Sequence, residues 1–379
     1  MSDSFLMLLS NALLACAAAG TVYLLVTPIA VRNFVRRHGV SRGAEPPVTI
    51  LKPLCGDEPE LYENLRSFCR QRYPRYQLVF GVQNPRDPAV ALVKRLIQEF
   101  PKEDIHLVTE PNWPAAGNRK VANLAGMLPA ARHDLLVMAD ADIRVGSEYL
   151  SGVVASLSQP DVGLVTCLYR GRAVKGFWSK LAGLHIDHEF LPQAILGEAL
   201  SIGDGCFGAT IALRRGTLDA IGGFAAISDR LADDHALGEA VRSLGLRVLL
   251  APYLVDTVVA QPGMSALLRQ ELRWALTVRA LAPMGYLGTL VTYPLMLALL
   301  ANLISGFGTS AVAMLSCTLV CRVLTGRVID RQLGHAAAAP WMLPLRDVLS
   351  FWVFAASFFI RTVAWRGQRL RVGSRSHPV

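Results

Sequence analysis

Two long uncharged stretches limit what this chain can fold into. No residue between Ser4 and Val31 carries a charge, and the same is true between Ala280 and Cys321. About 20 consecutive apolar residues are enough for a helix to cross the hydrocarbon core of a bilayer. The first stretch therefore predicts one membrane-spanning helix. The second, which glycine and proline interrupt, has room for two crossings joined by a tight turn.

Basic residues set the expected orientation of the first helix. Arg32, Arg36, Arg37 and Arg42 follow the first uncharged stretch, and short segments rich in Arg and Lys stay on the cytoplasmic side of a membrane. The stretch has no basic leader and no small-residue cleavage site close behind it, so we interpret it as an anchor and not as a removed signal peptide. We therefore expect the segment that follows, residues 44–263, to lie in the cytoplasm and the short N-terminus to face outward.

A third apolar region, from about Trp341 to Trp365, is interrupted by Arg346, Asp347 and Arg361. If this region crossed the membrane fully, the basic tail that follows would lie outside, against the usual distribution of positive charge. A re-entrant or interfacial segment would keep the tail inside. The sequence leaves both arrangements open, and we expect the second.

The composition agrees with a membrane protein. Hydrophobic residues make up 52% of the 379 residues and charged residues only 18%, whereas soluble domains average about 25% charged residues. This argues against a disordered chain and against an ordinary cytosolic enzyme. The formal charge is +9, but the basic residues cluster beside apolar stretches, where attraction to anionic lipid explains them. We therefore expect a bilayer, and no nucleic acid, as a partner.

Residues 44–263 have the pattern of an α/β domain. Short apolar runs bounded by turn residues predict strands, and they alternate with segments whose apolar residues recur at helical spacing. This alternation is typical of a doubly wound, mostly parallel sheet, which binds its ligands at the carboxyl ends of its strands. The predicted strands are 48–54, 77–82, 105–109 and 134–139, and the predicted helices include 59–73 and 88–100.

These patterns divide the chain into four parts. We expect an N-terminal transmembrane anchor with a basic linker (1–43), a cytoplasmic domain (44–263), an interfacial amphipathic helix (264–283) and a C-terminal membrane module with a basic tail (284–379). The interfacial helix is expected because leucines and arginines mix directly before the second uncharged stretch.

Two carboxylates follow the strand predicted at 134–139. Asp140 and Asp142 are separated by one residue and would lie where an α/β sheet binds its ligands. Mg²⁺ and Mn²⁺ prefer oxygen ligands and are commonly held by one or two carboxylates together with substrate phosphates. The pair therefore suggests a metal-diphosphate site, although a solvated turn with two Asp caps would give the same pattern.

Other polar positions also have two interpretations each. Asp87 precedes Pro88, and Asp233 and Asp234 precede an amphipathic stretch, so all three are suited to capping helices. In the sequence Gln270-Glu271-Leu272-Arg273-Trp274, the arginine could neutralise a diphosphate, and the tryptophan could line a binding site or anchor the helix in the membrane interface. No single motif chooses between these interpretations.

The combination of motifs is more specific than its parts. Asp87, Asp140 with Asp142, Asp234 and the Q-x-x-R-W sequence, in this order and spacing, resemble the signature of membrane-bound inverting glycosyltransferases. Four further segments look like the ceramide glucosyltransferase family, and within it like the bacterial hopanoid biosynthesis-associated glycosyltransferases. These segments are 51–53, 82–89, 118–124 and 163–165.

The resemblance implies a GT-A nucleotide-sugar fold for the catalytic domain, in a multi-pass protein of the bacterial inner membrane. It implies that a sugar moves from a UDP-sugar to a hydroxyl of a membrane lipid with inversion. UDP-N-acetylglucosamine and a hopanoid polyol of the bacteriohopanetetrol type are favoured. UDP-glucose and ceramide are the alternative, which is weakened because the animal ceramide enzymes replace the second acid that Asp142 supplies here.

The resemblance also implies a role for each matching residue. Asp234 would be the general base, and Gln270, Arg273 and Trp274 would hold the diphosphate and the acceptor mouth. Asp140 and Asp142 would bind Mg²⁺ or Mn²⁺. Asp87 and Asp140 would bind the nucleotide-sugar, and the acceptor side would include Asp204, Cys206 and Trp274. Apart from the resemblance, we expect Asn118, Lys120 and Lys52 on the nucleotide-sugar side, where the lysines could add positive charge, although each lysine is more simply a solvated surface residue.

Two other functions fit parts of the pattern. A processive polysaccharide synthase shares the acidic signature and the Q-x-x-R-W helix, but a pore for a growing chain needs more crossings than the three or four expected here. A transporter or scaffold with a degenerate nucleotide-binding domain fits the apolar segments. Against it, the four acidic positions are intact, and the apolar segments lack the paired charges that mark a transport path.

Overall fold

The computed structural model describes residues 3–37, 44–109, 117–174, 176–203, 205–230 and 232–360, and the backbone alone of 362–365 and 368–371. The chain forms two compact units. The sheet unit comprises Val35–Val174 and Gly197–Val259. The helical unit comprises Met1–Phe34, Lys175–Leu196 and Ala260–Val379. The four-part division expected from the sequence stays a prediction.

The α-helices of both units are numbered in chain order. They are α1 (Asp3–Arg36), α2 (Leu61–Phe68), α3 (Pro88–Glu99), α4 (Arg119–Met127), α5 (Tyr149–Leu157), α6 (Phe177–His185), α7 (Leu191–Ala199), α8 (Arg215–Ala220), α9 (Asp233–Ser243), α10 (Met264–Leu281), α11 (Pro283–Gly288), α12 (Pro294–Ser305), α13 (Thr309–Leu333) and α14 (Met342–Ser357). The helix predicted over 59–73 is shorter than expected, because residues 69 and 70 form a turn after α2.

The sheet unit is built on a mixed, eight-stranded sheet ordered β3-β2-β1-β4-β7-β6-β8-β5. The four predicted strands are confirmed to within one residue at each end, and parallel neighbours outnumber antiparallel ones, as expected. The strands are β1 (Val48–Leu54), β2 (Tyr76–Val82), β3 (Asp104–Thr109), β4 (Leu135–Met138), β5 (Ile143–Arg144), β6 (Val162–Ala173), β7 (Ile211–Arg214) and β8 (Arg247–Val259).

Apolar side chains on both faces of the sheet explain why its strands read as continuous apolar runs. Successive residues of a strand point to opposite faces, and on β1 Ile50 packs in one core cluster while Leu51 packs in the other. Helices α2, α3 and α5 cover the first face, and α4, α8 and α9 cover the second. The doubly wound architecture is therefore confirmed.

The helical unit contains the candidate membrane spans. Ser4–Arg36 and Thr309–Leu333 are long and apolar enough to cross a bilayer. The segments Pro283–Thr292 and Pro294–Ser305 pass the same test only as a pair, and they are bent by 69° at their junction, which fits a broken span or a re-entrant loop. Helix α14 has 16 residues, fewer than the roughly 20 that a full crossing needs.

One expectation for this unit is wrong, because its apolar segments do carry paired charges. Arg322 on α13 and Asp347 on α14 are both buried, and three hydrogen bonds of 2.7–2.9 Å join their side chains. The pair could not be predicted from the sequence, because the two residues belong to different helices. Because the pair is present, this argument against a transporter no longer holds.

Candidate active site

Polar residues lie at the carboxyl ends of three strands of the sheet unit, along one edge of the sheet. Strands β2, β1 and β4 are parallel neighbours, so their carboxyl ends lie side by side. Asp87 follows β2, Lys52 lies near the end of β1, and Asp140 and Asp142 follow β4. The candidate site is the group of charged side chains at this edge.

Lys120, on the first turn of α4, joins two of the acids. Its Nζ lies 2.7 Å from Asp140 Oδ1 and 3.3 Å from Asp233 Oδ2. Burial alone would lower the pKa of Lys120, but the nearby carboxylates of Asp140, Asp233 and Asp234 outweigh it and raise the pKa. The ammonium group therefore stays charged at neutral pH.

Asn118 holds both sides of this ion pair in place. As the cap of α4, its Oδ1 accepts hydrogen bonds from the backbone N–H groups of Lys120 and Val121. Its Nδ2 donates to the Arg230 carbonyl at 3.1 Å and to Asp233 Oδ1 at 3.2 Å. Asn118 thus lies next to Lys120, another predicted binding residue. Its side-chain amide already makes hydrogen bonds within the protein.

Asp234, at the start of α9, accepts two backbone hydrogen bonds. Its Oδ2 accepts from the N–H of Gly208 at 3.0 Å, and its Oδ1 accepts from the N–H of His235 at 2.8 Å. Burial, followed by the charge of Asp233, raises the pKa of Asp234 to about 6, although Lys120 opposes the shift. A carboxylate with this pKa is largely ionised at pH 7 and is still basic enough to accept a proton.

The main chain at Gly208 is the point where these groups converge. A Cβ atom on Gly208 would lie 3.1 Å from both Asp140 Oδ2 and Lys120 Nζ, and 3.6 Å from Asp234 Oδ2. The residue on its N-terminal side, Phe207, is fixed by hydrogen bonds of 2.9 Å between its backbone and the Thr166 hydroxyl on β6. A side chain at position 208 would therefore crowd these groups, and glycine serves here for a close approach and not for an unusual φ.

Asp142 lies beside Asp140 and faces β8. Its Oδ2 accepts a hydrogen bond from Thr257 Oγ1 at 2.7 Å, and its carbonyl accepts one from the N–H of Val258. Burial, and then the charge of Asp140, raise the pKa of the Asp142 carboxyl. A carboxyl group in these surroundings fits a divalent cation, whose charge would favour the ionised form of Asp142.

Within the described residues, no group of three or more His, Cys, Asp and Glu side chains is arranged to hold a metal by itself. Mg²⁺ commonly takes one or two carboxylates from a protein and its other ligands from phosphate and water.

Lys52 and Asp87 are predicted ligands whose polar atoms are engaged by the protein. Lys52 is fully buried, and its Nζ donates to the Asp140 carbonyl at 2.7 Å and lies 3.8 Å from the centre of the Phe68 ring. Burial lowers the pKa of Lys52 to about 7. Asp87 caps α3 through the N–H of Ala89 and also accepts from the N–H of Gly56 at 2.8 Å.

The predicted acceptor-side residues have different surroundings. Cys206 lies in the core beneath α9 with 4% of its surface exposed, and burial raises the pKa of its thiol. This is the placement of a packing residue. Asp204 lies outside the described residues. Trp274, with Gln270 and Arg273, lies on α10 of the helical unit, where its ring stacks on His185 and Gln270 accepts a hydrogen bond from Gln261.

Sequence reasoning gave no site role to three residues that contribute to it. Asp233 was interpreted only as a helix-capping acid, although it binds Lys120. Gly208 gave a usable signal, since a glycine-rich segment before a strand often marks a close approach. Thr257 gave none, because a threonine in a strand is ordinary.

The fold is similar to that of a mannosyltransferase from Pyrobaculum calidifontis, solved with GDP-Man and Mn²⁺. The TM-score is 0.54 at 19% identity, and the match covers 92% of this chain and 98% of that chain. The structure is therefore of the GT-A type that the sequence predicts.

Curated relatives and a family model agree with the fold. Ceramide glucosyltransferase 1 of Caenorhabditis elegans is 22% identical over 340 residues, which are 86% of this chain and 72% of that protein. The ceramide glucosyltransferase of Candida albicans is 33% identical over 122 residues, 29% of this chain and 22% of that protein. Because the model of glycosyl transferase family 21 matches residues 12–377, the chain belongs to this family and is a glycosyltransferase.

Proposed function

We propose that this glycosyltransferase moves a sugar from a UDP-sugar to a hydroxyl group of a membrane lipid and inverts the anomeric centre. The observation that carries the proposal is the convergence of Asp140, Lys120 and Asp234 on the main chain at Gly208. This convergence supports the proposal because an ammonium group, a proposed metal ligand and a basic carboxylate are the groups that a nucleotide-sugar transfer needs.

Asp234 is the proposed general base. Its raised pKa, about 6, means that it is ionised at pH 7 and can take the proton of the acceptor hydroxyl. The hydroxyl oxygen forms a bond to the anomeric carbon while the bond from that carbon to the diphosphate oxygen breaks, and the electron pair leaves with UDP. A single displacement of this kind inverts the configuration at the anomeric carbon.

Positive charge at the site stabilises the departing diphosphate. Lys120 supplies a fixed ammonium group, and Asp140 and Asp142 are the proposed ligands of Mg²⁺ or Mn²⁺. Such a cation, when bound, neutralises the charge that develops on the diphosphate oxygens. Lys52 helps to hold Asp140 in position, because its Nζ donates a hydrogen bond to the Asp140 carbonyl.

The remaining roles follow from the family resemblance. We assign Asp87 to the uridine side of the donor, with Asn118 as the residue that orients Lys120 and Asp233. Gln270, Arg273 and Trp274 are assigned to the diphosphate and the acceptor mouth. Cys206 is not kept as an acceptor contact because it is a core residue.

Two acceptors compete within this proposal. The motifs in 51–53, 82–89, 118–124 and 163–165 favour a hopanoid polyol that receives N-acetylglucosamine. The curated relatives are ceramide glucosyltransferases by name, which favours glucose and ceramide. The proposed location is the inner membrane of a bacterium, with the sheet unit in the cytoplasm, since basic residues follow α1.

The test is a product analysis with the purified protein in lipid nanodiscs. A panel of UDP-sugars with Mg²⁺ or Mn²⁺ is offered to hopanoid polyol and ceramide, and the lipids are analysed by mass spectrometry. We expect a glycolipid that is absent from the Asp234→Ala and Asp140→Ala variants. Formation of long polymer would support a polysaccharide synthase instead, and nucleotide binding without any product would support a scaffold or transporter.

A further inference from the structure

The helix that carries the Q-x-x-R-W motif is held by a buried ion pair. Glu271, inside the motif, is 3% exposed, and its Oε1 and Oε2 accept hydrogen bonds from Nη1 and Nη2 of Arg346 at 2.6 and 2.7 Å. Arg346, on α14, is fully buried. A guanidinium that binds both oxygens of a carboxylate fixes their orientation as well as their distance. The pair therefore limits the rotation of α10 about its own axis.

Arg346 also connects α14 to the π-helical turn Ile186–Phe190 that follows α6. Its Nε lies 3.3 Å from Glu189 Oε1, and the same oxygen accepts a hydrogen bond from Ser350 Oγ at 2.6 Å. The other carboxylate oxygen of Glu189 lies 3.2 Å from Nδ1 of His185. One buried arginine thus links two carboxylates on two separate elements.

His185 contacts α10 through Trp274. Its ring stacks on Trp274 with 5.9 Å between the centroids and 16° between the planes. Trp274 is three residues after Glu271, so both side chains lie on the same side of α10. Trp274, His185, Glu189, Arg346 and Glu271 therefore form a closed series of contacts, the α10 contact ring, which begins and ends on one helical turn.

We propose that Glu271, Arg346 and Glu189 are positioning residues for the transfer reaction. They fix the rotation of α10 and the plane of the Trp274 ring, and through Trp274 they align the lipid acceptor. The inference rests on the proposed function, which assigns Trp274 to the acceptor. A misplacement of about 1 Å in a positioned group can reduce turnover a hundredfold, whereas an ion pair with a purely structural role would affect stability alone.

The test compares two buried ion pairs of the same unit. Glu271→Gln removes the charge in the α10 contact ring, and Asp347→Asn removes the charge that binds Arg322 between α13 and α14. We expect Glu271→Gln to lower kcat/KM for the acceptor lipid about tenfold or more, with the KM for the donor within about twofold of wild type. Asp347→Asn should reduce thermal stability and keep kcat/KM within about twofold.

A second variant separates orientation from charge. Arg346→Lys keeps the positive charge but loses the planar fork, so we expect it to lower acceptor kcat/KM as Glu271→Gln does. Amide hydrogen exchange over residues 264–281 should be faster in both variants than in Asp347→Asn. Wild-type acceptor kinetics in Glu271→Gln, or an equal loss in Asp347→Asn, would overturn the inference.

The failure of the inference can be told apart from the failure of the proposed function by Trp274→Ala. If Trp274→Ala is fully active, the role proposed for Trp274 is wrong, and the positioning role falls with it. If Trp274→Ala is inactive while Glu271→Gln and Arg346→Lys are fully active, only the positioning role is wrong.

Discussion

At the scale of single residues, the surroundings of Asp234 decide when it can act as a base. Two backbone N–H groups orient its carboxylate, and burial raises its pKa to about 6. Lys120 opposes that shift but is shared with Asp140 and Asp233. The balance leaves a carboxylate that is a stronger base than an ordinary Asp, whose pKa is about 3.9.

The pH dependence of transfer should report this pKa. Asp234 is protonated below about pH 6 and ionised above it, so kcat/KM should be level at neutral pH and should fall as the pH drops through about 6. Asp234→Asn, which keeps the size of the side chain, should lose about a hundredfold or more in kcat and still bind UDP. A level profile down to pH 5, or an active Asn variant, would be inconsistent with Asp234 as the base.

A methyl group at Gly208 should disturb the site directly. The added Cβ of Gly208→Ala would approach Asp140 Oδ2 and Lys120 Nζ to 3.1 Å, so we expect kcat/KM to fall about tenfold while the protein still folds. Gly216→Ala is the matched control, since no atom lies within 4 Å of its added Cβ and it sits in α8. Steady-state kinetics and thermal unfolding of both variants make the comparison. Equal activity in the two variants would rule out a tight site at Gly208.

At the scale of secondary-structure elements, Asp87 has two roles that can be separated. Its carboxylate caps α3 and binds the N–H of Gly56. Asp87→Ala should therefore destabilise the protein by about 1 kcal/mol. Asp87→Asn should cost less, because Asn is also a good cap, although its NH2 group cannot accept the second hydrogen bond, from Gly56. If Asp87 also contacts the uridine, Asp87→Asn should weaken UDP binding at temperatures where the variant is fully folded. Unchanged UDP affinity in the Asn variant would leave Asp87 with the capping role alone.

The sequence predicted those elements that depend only on the pattern of residues within one short segment. The strands β1, β2 and β4 are buried and mostly apolar, whereas β3 is half-buried at the side of the sheet. The carboxylates after β4 follow directly from that strand. Contacts between distant segments could not be predicted. Lys120 and Asp233 meet because α4 and α9 cover the same face of the sheet, and Glu271 meets Arg346 only because α10 packs on α14.

At the scale of the whole molecule, the path of the chain through the membrane decides where its C-terminal residues lie. Helix α1 and helix α13 are candidate spans, and the bent pair between them is a third if it crosses as a broken helix. Arg327 and Arg331 lie near the end of α13, which favours a cytoplasmic end for that helix.

A reporter fused at Val379 tests this path. We expect the reporter to be cytoplasmic, because three crossings starting from an outer N-terminus end inside and α14 is too short for a fourth. A fusion at residue 45 serves as the cytoplasmic reference. An external signal at Val379 would require either a re-entrant bent pair or a crossing α14.

The most direct measurement is the anomeric configuration of the glycolipid, determined by proton NMR. The sugar of each donor UDP-sugar is α-linked to UDP. A single displacement assisted by Asp234 inverts the configuration at its anomeric carbon. We expect a β-linked product, formed by the wild type and lost in Asp234→Asn. An α-linked product would contradict the single displacement and, with it, the role of Asp234 as the base.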